Sequence, residues 1–291
     1  MKVYPLSGAI GGEAMLLVKN QSAVLIDSGF DFCADQLAAQ IQATLGGIPL
    51  SGIILTHSHY DHLGGCVGVK KLYPQAQIIA SPLVAKIVAK ESARATMREL
   101  NKQAAAAAGQ PAVDRIDQLQ IDVGLAPGES YQTAVGPVIP VPTPGHTRCS
   151  TSYYFPDDDM LALSETTGAV VGDHFVPCFI VSYATTLESF DRCANCHAQR
   201  LVVPHYGLID GAAAVETFLT QSRRAAAEAA EFILEKHRLG LSEEQILEQY
   251  ANQYYYGVCD EAQPKMAFLI NTSAMINRVI TEAETSSSSS H

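Results

Sequence analysis

Basic residues are scarce in this chain of 291 residues, and long apolar runs are missing. Only 19 lysines and arginines stand against 30 aspartates and glutamates, which gives a formal net charge of -11. Proteins that bind the phosphate backbone of nucleic acids need a basic surface to displace counterions, so we expect no nucleic-acid partner. No segment reaches the roughly 18 consecutive apolar residues of a membrane-spanning helix, and we expect no membrane association.

Signals for export and for disulfide bonding are also missing. Pro5, three glycines and Glu13 interrupt the first 20 residues, which therefore lack the apolar core of a signal peptide. The seven cysteines are odd in number and far apart in a long chain, which favours reduced thiols over a disulfide framework. We therefore predict a cytoplasmic protein. The polar, low-complexity run at 284–291 is predicted to be a disordered tail.

Enough apolar sequence is present to build a large core, since apolar residues make up 47% of the chain. Up to about residue 210, short β-like runs alternate with helical patterns. Strands are predicted at 14–19, 23–27, 51–55, 77–80, 138–141, 152–155, 160–163 and 201–203, the first two as a hairpin. Helices are predicted over 33–45, 65–72 and 82–108, and from a capping box at Thr185 and Glu188 to about residue 200.

Beyond Gly211 the pattern is helical throughout. Apolar residues of the first helix recur at spacings of three and four, so one face of it must pack on something, and the stretch 82–108 offers a matching surface. The predicted helices cover 212–239, 242–253 and 263–281, the second opening on a capping box at Ser242 and Gln245. We divide the chain into a domain over 1–210 with a helical insertion at 82–108, a helical elaboration over 211–283, and the tail.

The strongest chemical signal directly follows a predicted strand. The motif H-S-H-Y-D-H at 57–62 places three imidazoles and a carboxylate within six residues. Imidazole nitrogen and carboxylate oxygen suit a borderline divalent cation such as zinc, iron or manganese. An extended loop turns His57 and His59 toward the same side, while Asp61 and His62 reach a second position once a helix begins. The spacing therefore predicts metal binding.

Four segments, in order, resemble motifs of the metallo-β-lactamase fold superfamily. The motif at 57–62 matches the H-x-H-x-D-H pattern of that family. The triplet D-S-G at 27–29 is similar to the turn after its early hairpin, and P-G-H-T at 144–147 to the segment with its next metal ligand. P-H-Y-G at 204–207 is similar to the segment with its last ligand. Each follows an apolar run, and the resemblance covers residues 14 to 210.

The resemblance implies an α/β fold, namely a four-layer αβ/βα sandwich with a C-terminal helical cap. It also implies a dinuclear site for two divalent ions (zinc, iron or manganese) at the edge where strand ends converge. The implied ligands are His57, His59 and His146 for the first ion and Asp61, His62 and His205 for the second.

One position departs from the family's pattern. The family usually carries an aspartate after the strand that here is 160–163, whereas this chain has Ser164 and Glu165. We predict Glu165 as the bridging ligand, with Asp173 as the alternative. The extra methylene of glutamate moves the carboxylate by about 1.5 Å, which leaves the metal spacing and the metal identity open. A weakened second site is the other interpretation of this departure.

The implied activity is hydrolysis by a hydroxide that bridges the two ions. Asp61 would bind the second ion and orient the hydroxide or pass its proton to the leaving group. Tyr206 either donates a hydrogen bond to the substrate or only packs beside the site. The helical cap is similar to that of the quinolone-signal response thioesterase and, more distantly, to those of glyoxalase II and acyl-homoserine lactonases. The segments 90–94 and 100–102 are similar to the corresponding helix of the first of these. This similarity implies a small acyl substrate with a thioester, ester or lactone bond.

Other functions of the same fold stay open. An iron-dependent oxygenase of the persulfide dioxygenase kind shares the histidine motif but needs one iron. A nuclease would want a basic channel, and a non-catalytic or weakly catalytic metal-binding signalling protein would agree with the departure at Glu165. Flavodiiron oxygen reduction is disfavoured, since that relative has glutamate where His59 stands. The C-terminal helices are predicted to form either a lid or the interface of a homodimer.

Overall fold

Two six-stranded β-sheets lie face to face in the computed structural model, which describes residues 1–172, 174–255 and 265–288, with side chains up to residue 285. Helices cover the outer face of each sheet, so the layers follow the order helices, sheet, sheet, helices. The predicted α/β four-layer sandwich is therefore confirmed.

Strands and helices alternate up to Asp210, and long helices follow it. The strands are β1 (Lys2–Ser7), β2 (Glu13–Lys19), β3 (Ser22–Ile26), β4 (Leu50–Ile54), β5 (Gln77–Ala80), β6 (Val123–Gly124), β7 (Tyr131–Thr133), β8 (Gly136–Pro142), β9 (Thr151–Phe155), β10 (Met160–Ala162), β11 (Ala169–Val171), β12 (His174–Val176), β13 (Arg200–Val203) and β14 (Gly207–Asp210). The α-helices are α1 (Ala34–Leu45), α2 (Tyr60–Leu63), α3 (Cys66–Leu72), α4 (Pro82–Val88), α5 (Glu91–Ala107), α6 (Tyr183–Ala194), α7 (Ala212–Arg238), α8 (Glu243–Tyr254) and α9 (Lys265–Ser288).

The first sheet begins antiparallel and becomes parallel. Its strands follow the order β1 to β6, with antiparallel pairs up to β3 and parallel pairs from β3 to β6. Asn20 and Gln21, both at positive φ, make the two-residue turn between β2 and β3, which confirms the predicted hairpin. Because β3 and β4 are parallel, the residues that follow them emerge at the same edge of the sheet.

The second sheet brings two more chain segments to one edge. Its order is β14-β13-β10-β9-β8-β7, and β10 pairs with β13 in parallel. Glu165 follows β10 closely and His205 follows β13. Parallel pairing of these two strands therefore carries both side chains to the same end of the sheet.

Strand residues alternate between two apolar cores. Leu17 and Ile54 point into the space between the sheets, where Tyr153 of the second sheet is buried with them. Leu16 and Ile53, on the opposite face of the same strands, pack against the helices of the first outer layer. This alternation is what a sheet buried on both faces requires, and it fixes the register of the strands that end at the site.

Two predicted helices have other bounds in the structure. The stretch 82–108 contains two helices, α4 and α5, because Lys90 adopts an extended conformation between them. Helix α6 begins at Tyr183, and its N-cap is Ser182. The Ser182 hydroxyl accepts a hydrogen bond from the Thr185 amide. The predicted capping box at Thr185 was wrong because the serine three residues earlier supplies the cap. The helix also ends at Ala194, well before residue 200.

The C-terminal helices pack in an unexpected place. Helix α8 opens on the predicted capping box. The apolar face of α7 packs on α6, α8 and α9 and not on the 82–108 stretch, which lies against the helical layer of the first sheet. That prediction was wrong because Phe179 and Phe190 present a nearer apolar surface on the second sheet's side. Helix α9 runs to Ser288 and overlaps the predicted tail, while residues 289–291 lie outside the described part.

Within the described residues, no helix combines the length and hydropathy that crossing a bilayer requires. The six cysteines in the same ranges are unpaired thiols, as predicted, and Cys259 lies outside those ranges. The division of the chain at residue 210 stays a prediction.

Candidate metal centre

The ends of β3 and β4 place Asp27 beside the H-S-H-Y-D-H motif. Asp27 sits at positive φ just after β3, a conformation that aspartate tolerates better than most residues. Its carboxylate accepts hydrogen bonds from the Thr56 amide, the Thr56 hydroxyl and His62 Nδ1, each at 2.8 Å. One buried carboxylate thus holds the strand end and a histidine of the motif in fixed positions.

Two glycines allow the motif to approach this turn closely. The Ser28 amide donates to the His62 carbonyl at 2.6 Å, and the Gly65 amide donates to the Gly29 carbonyl at 2.9 Å. A Cβ atom at Gly65 would overlap the Ser28 carbonyl oxygen, and one at Gly64 would lie 2.5 Å from the Tyr60 carbonyl oxygen. The absence of side chains here is what lets Asp27 reach His62.

Gly65→Ala is therefore expected to destabilise the fold. The added methyl group must push the motif away from the Ser28 backbone, and such overpacking costs about 1–3 kcal/mol. Urea unfolding followed by circular dichroism measures the change in the free energy of unfolding. Gly124→Ala is the matched control, because a Cβ there meets only Pro82, with Cγ at 3.8 Å. Equal stabilities of the two variants would contradict this account of the glycine.

The structure brings the seven residues singled out as ligands into two adjoining groups. Each member of a group offers one ligand atom, and these atoms lie within 4.8 Å of one another. The first group contains His57, His59, His146 and Glu165, and the second contains Asp61, His62 and His205.

Glu165 lies between the two groups and contacts both. Its Oε2 is 2.7 Å from His146 Nε2 and 3.6 Å from the Nε2 atoms of both His57 and His62. Its Oε1 is 2.7 Å from His205 Nε2. The glutamate side chain thus reaches both groups. Asp173, the alternative, lies outside the described residues.

Two buried imidazole nitrogens provide a test of whether metal ions fit. His57 Nε2 and His62 Nε2 are buried and have no hydrogen-bond partner among the residues that the structure describes. An unpaired buried nitrogen costs free energy, and both point to the same carboxylate oxygen of Glu165. A cation would supply the missing partner, and the nitrogen and oxygen donors suit zinc, iron or manganese. The residues therefore fit divalent ions.

The opposite ring nitrogens are fixed by neighbours. His57 Nδ1 lies 2.9 Å from the Thr56 hydroxyl, and His146 Nδ1 lies 2.9 Å from the Cys178 carbonyl oxygen. His205 Nδ1 lies 2.6 Å from Glu13 Oε2. Such partners set the tautomer and the orientation of a metal-binding imidazole. Sequence reasoning missed these partners: Asp27 was marked only as part of the D-S-G turn, and Glu13 carries no motif.

The electrostatics differ between the groups. Burial and the neighbouring imidazoles hold the pKa of His57 well below its usual range and lower the pKa of His59 to about 3. Burial opposes protonation of His205 too, but hydrogen bonds to Glu13 and Glu165 raise its pKa to about 10. Despite burial, His146 and His62 hold the pKa of Glu165 well below its usual value. A cation bound beside His205 would therefore compete with a proton.

The two residues with predicted catalytic roles lie at the open side of the groups. Asp61 Oδ2 is 3.6 Å from His62 Nε2, and 22% of the Asp61 side chain is exposed. Tyr206 follows His205 in the turn before β14 and is 50% exposed, so its contact with a substrate stays a prediction. Phe30, which stacks on Phe32 and lies 5.7 Å from the Tyr60 ring between centroids, adds an apolar wall beside the motif.

Known proteins share this fold and parts of this sequence. A profile of the family described as Metallo-beta-lactamase superfamily matches residues 8–205. A probable metallo-hydrolase of Streptococcus pyogenes is 27% identical over 173 residues, which cover 57% of this chain and 66% of that protein. A hydroxyacylglutathione hydrolase of Bartonella henselae is 28% identical over 117 residues, or 40% of this chain and 34% of that protein. Each match thus spans less than two thirds of the curated relative.

A solved structure covers more of the chain. A metallo-beta-lactamase family protein of Thermus thermophilus superposes with a TM-score of 0.58 at 18% identity. The alignment covers 97% of this chain and 93% of that one, so it includes the C-terminal helices. At this identity the likeness concerns the fold alone.

Proposed function

The chain belongs to the metallo-beta-lactamase superfamily, and we propose on that basis that it is a dinuclear metal hydrolase of a small acyl substrate, a thioester, ester or lactone. The observation that carries the proposal is Glu165, whose carboxylate contacts histidines of both groups, His146 through Oε2 and His205 through Oε1. A carboxylate in that position can bridge two ions, and the grouped donors supply the remaining ligands.

The metal ions would be zinc, iron or manganese, held by His57, His59 and His146 on one side and by Asp61, His62 and His205 on the other, with Glu165 shared. When bound, they lower the pKa of water to near neutrality and polarise a substrate carbonyl. Asp27, Thr56 and the Cys178 carbonyl hold three of the imidazoles so that their free nitrogens face Glu165.

Asp61 is the proton carrier of this proposal. Its carboxylate is more exposed than that of Glu165, 22% against 12%, so it can meet both an attacking water and a leaving group. It takes the proton of the water and passes it to the departing sulfur or oxygen. Tyr206, a half-exposed residue, donates a hydrogen bond from its hydroxyl to the substrate.

Two observations support an acyl substrate. The relative from Bartonella henselae is named a hydroxyacylglutathione hydrolase, and the match to it covers 40% of this chain. The apolar wall of Phe30, Phe32 and Tyr60 beside the motif also suits the carbon chain of an acyl group better than a phosphate. The net charge of -11 agrees with this preference.

Metal analysis combined with a substrate panel tests the proposal. We expect about two ions per chain after purification, with and without air, and hydrolysis of a thioester, an ester or a lactone but not of a phosphodiester. Removal of the ions by a chelator should abolish the activity, and added zinc, manganese or iron should restore it. One iron per chain with oxygen consumption would favour the oxygenase instead. Two bound ions without hydrolysis of any ester, thioester or lactone would contradict the proposal.

A further inference from the structure

Glu13 is a carboxylate that no motif includes, yet it contacts the last residue of the second group. Glu13 Oε2 accepts a hydrogen bond from His205 Nδ1 at 2.6 Å, and its Oε1 accepts one from the Gly11 amide at 3.1 Å. We propose that Glu13 is a positioning residue that fixes His205 for the second ion and links that ion to the β1–β2 turn. This inference rests on the metal centre of the proposed function.

Glu13 decides which nitrogen of His205 is free to bind a metal ion. An ionised carboxylate only accepts hydrogen bonds, so the proton of the neutral imidazole stays on Nδ1. Nε2 is then the nitrogen directed at Glu165 Oε1, 2.7 Å away, and at the second group, where a bound ion would take the place of the proton that Nε2 donates to Glu165. His205 adopts a positive φ of 59°, an uncommon conformation for a histidine, so its ring needs contacts that hold it in place.

The histidine partners of the two groups differ in charge. In the second group, His62 is paired with Asp27 and His205 with Glu13. In the first group, the corresponding partners are a hydroxyl and a backbone carbonyl, both neutral. A carboxylate partner raises the basicity of a metal-binding imidazole. Loss of Glu13 should therefore lower the affinity for the second ion and leave the affinity for the first ion almost unchanged.

The same carboxylate also reaches the turn between β1 and β2. Glu13 Oε1 accepts a hydrogen bond from the Gly11 amide. The next residue, Gly12, packs directly on the ring of Phe30. Phe30 belongs to the apolar wall beside the motif. An ion that holds His205 would thus also hold Glu13 and, through it, the turn. Slower hydrogen exchange of the Gly11 amide in the metal-loaded protein is the expected sign of this link.

Glu13→Gln tests the inference with little change in shape. The glutamine side chain has one donor end and one acceptor end. If its NH2 group points at His205, the imidazole proton must move to Nε2, and if it points at the Gly11 amide, two donors face each other. We expect binding of one ion to weaken by about 10–100-fold while the other stays within about twofold, measured by competition with a chelator of known affinity. In protein loaded with cobalt, the absorption spectrum should lose the signal of one of the two metal positions only. Hydrogen exchange of the Gly11 amide should be faster than in the wild type.

Gln40→Ala is the matched control for a purely structural role. The Gln40 side chain exchanges two hydrogen bonds with the Ser7 backbone, so its loss loosens the same hairpin without touching His205. We expect both ions to bind it as they bind the wild type. Three results would overturn the inference. They are an equal loss of affinity for both ions in Glu13→Gln, the same loss of affinity in Gln40→Ala, and a wild type that binds a single ion. The titration needs no substrate, so wild-type protein that binds two ions without hydrolysis would contradict only the proposed function.

Discussion

Glu165→Ala is expected to reduce hydrolysis by roughly 10³-fold or more. The variant removes a carboxylate that contacts both groups, and the unpaired nitrogens of His57 and His62 lose the oxygen to which both point. Metal ions stabilise the charge of such transition states by several kcal/mol, and each 1.4 kcal/mol is about a factor of ten in rate. The measurement is kcat/KM on the best substrate of the panel, together with ions bound per chain.

The controls for this prediction separate the metal centre from general damage. Glu188→Ala removes an exposed glutamate of α6 whose ion pair is with Arg192 of the same helix, so we expect wild-type rates. His59→Ala removes a donor of the first group and should lose hydrolysis as Glu165→Ala does. Wild-type rates in Glu165→Ala and His59→Ala with metal still bound would show that the hydrolase proposal is wrong.

Asp27→Asn is expected to lower the free energy of unfolding of the metal-free protein by about 3 kcal/mol, near the lower end for a broken buried ion pair. The Asp27 side chain is buried and accepts three hydrogen bonds, so an amide nitrogen would face either Thr56 or His62 donor to donor. Asparagine tolerates positive φ, so the backbone strain does not change. Urea unfolding of protein stripped of metal measures the effect.

Asp159→Asn is the matched control for Asp27→Asn. Asp159 also adopts positive φ, but it is exposed, and among the described residues its carboxylate accepts one hydrogen bond, from the Tyr154 hydroxyl. We expect a change within about 0.5 kcal/mol. If both variants lost the same stability, the buried hydrogen bonds of Asp27 would not be what anchors the motif.

The layered fold could be predicted because its signals are local. Apolar runs alternate with helical spacing up to residue 210, and the hairpin before Asp27 and the capping box at Ser242 are read from adjacent residues. The start of α6 was predicted wrongly at Thr185, because the cap depends on backbone conformation, and it is Ser182 that is extended and accepts a hydrogen bond from the Thr185 amide. The packing of α7 on α6 could not be predicted, because more than one apolar helical segment of the sequence could pack against the same face of α7.

For the candidate site, too, some features could be predicted from the sequence and others only from the tertiary structure. The sequence by itself determined which donor types are present and in what order, because the motif at 57–62 places three imidazoles and a carboxylate within six residues, and imidazole nitrogen and carboxylate oxygen are common metal ligands. Only the tertiary structure decided how far the Glu165 carboxylate reaches and which neighbours fix the ring nitrogens. Glu13 and His205 are distant in sequence, and their contact depends on the pairing of strands in two sheets. A hydrogen bond of that kind leaves no local pattern, since either residue alone is an ordinary polar side chain at a strand end.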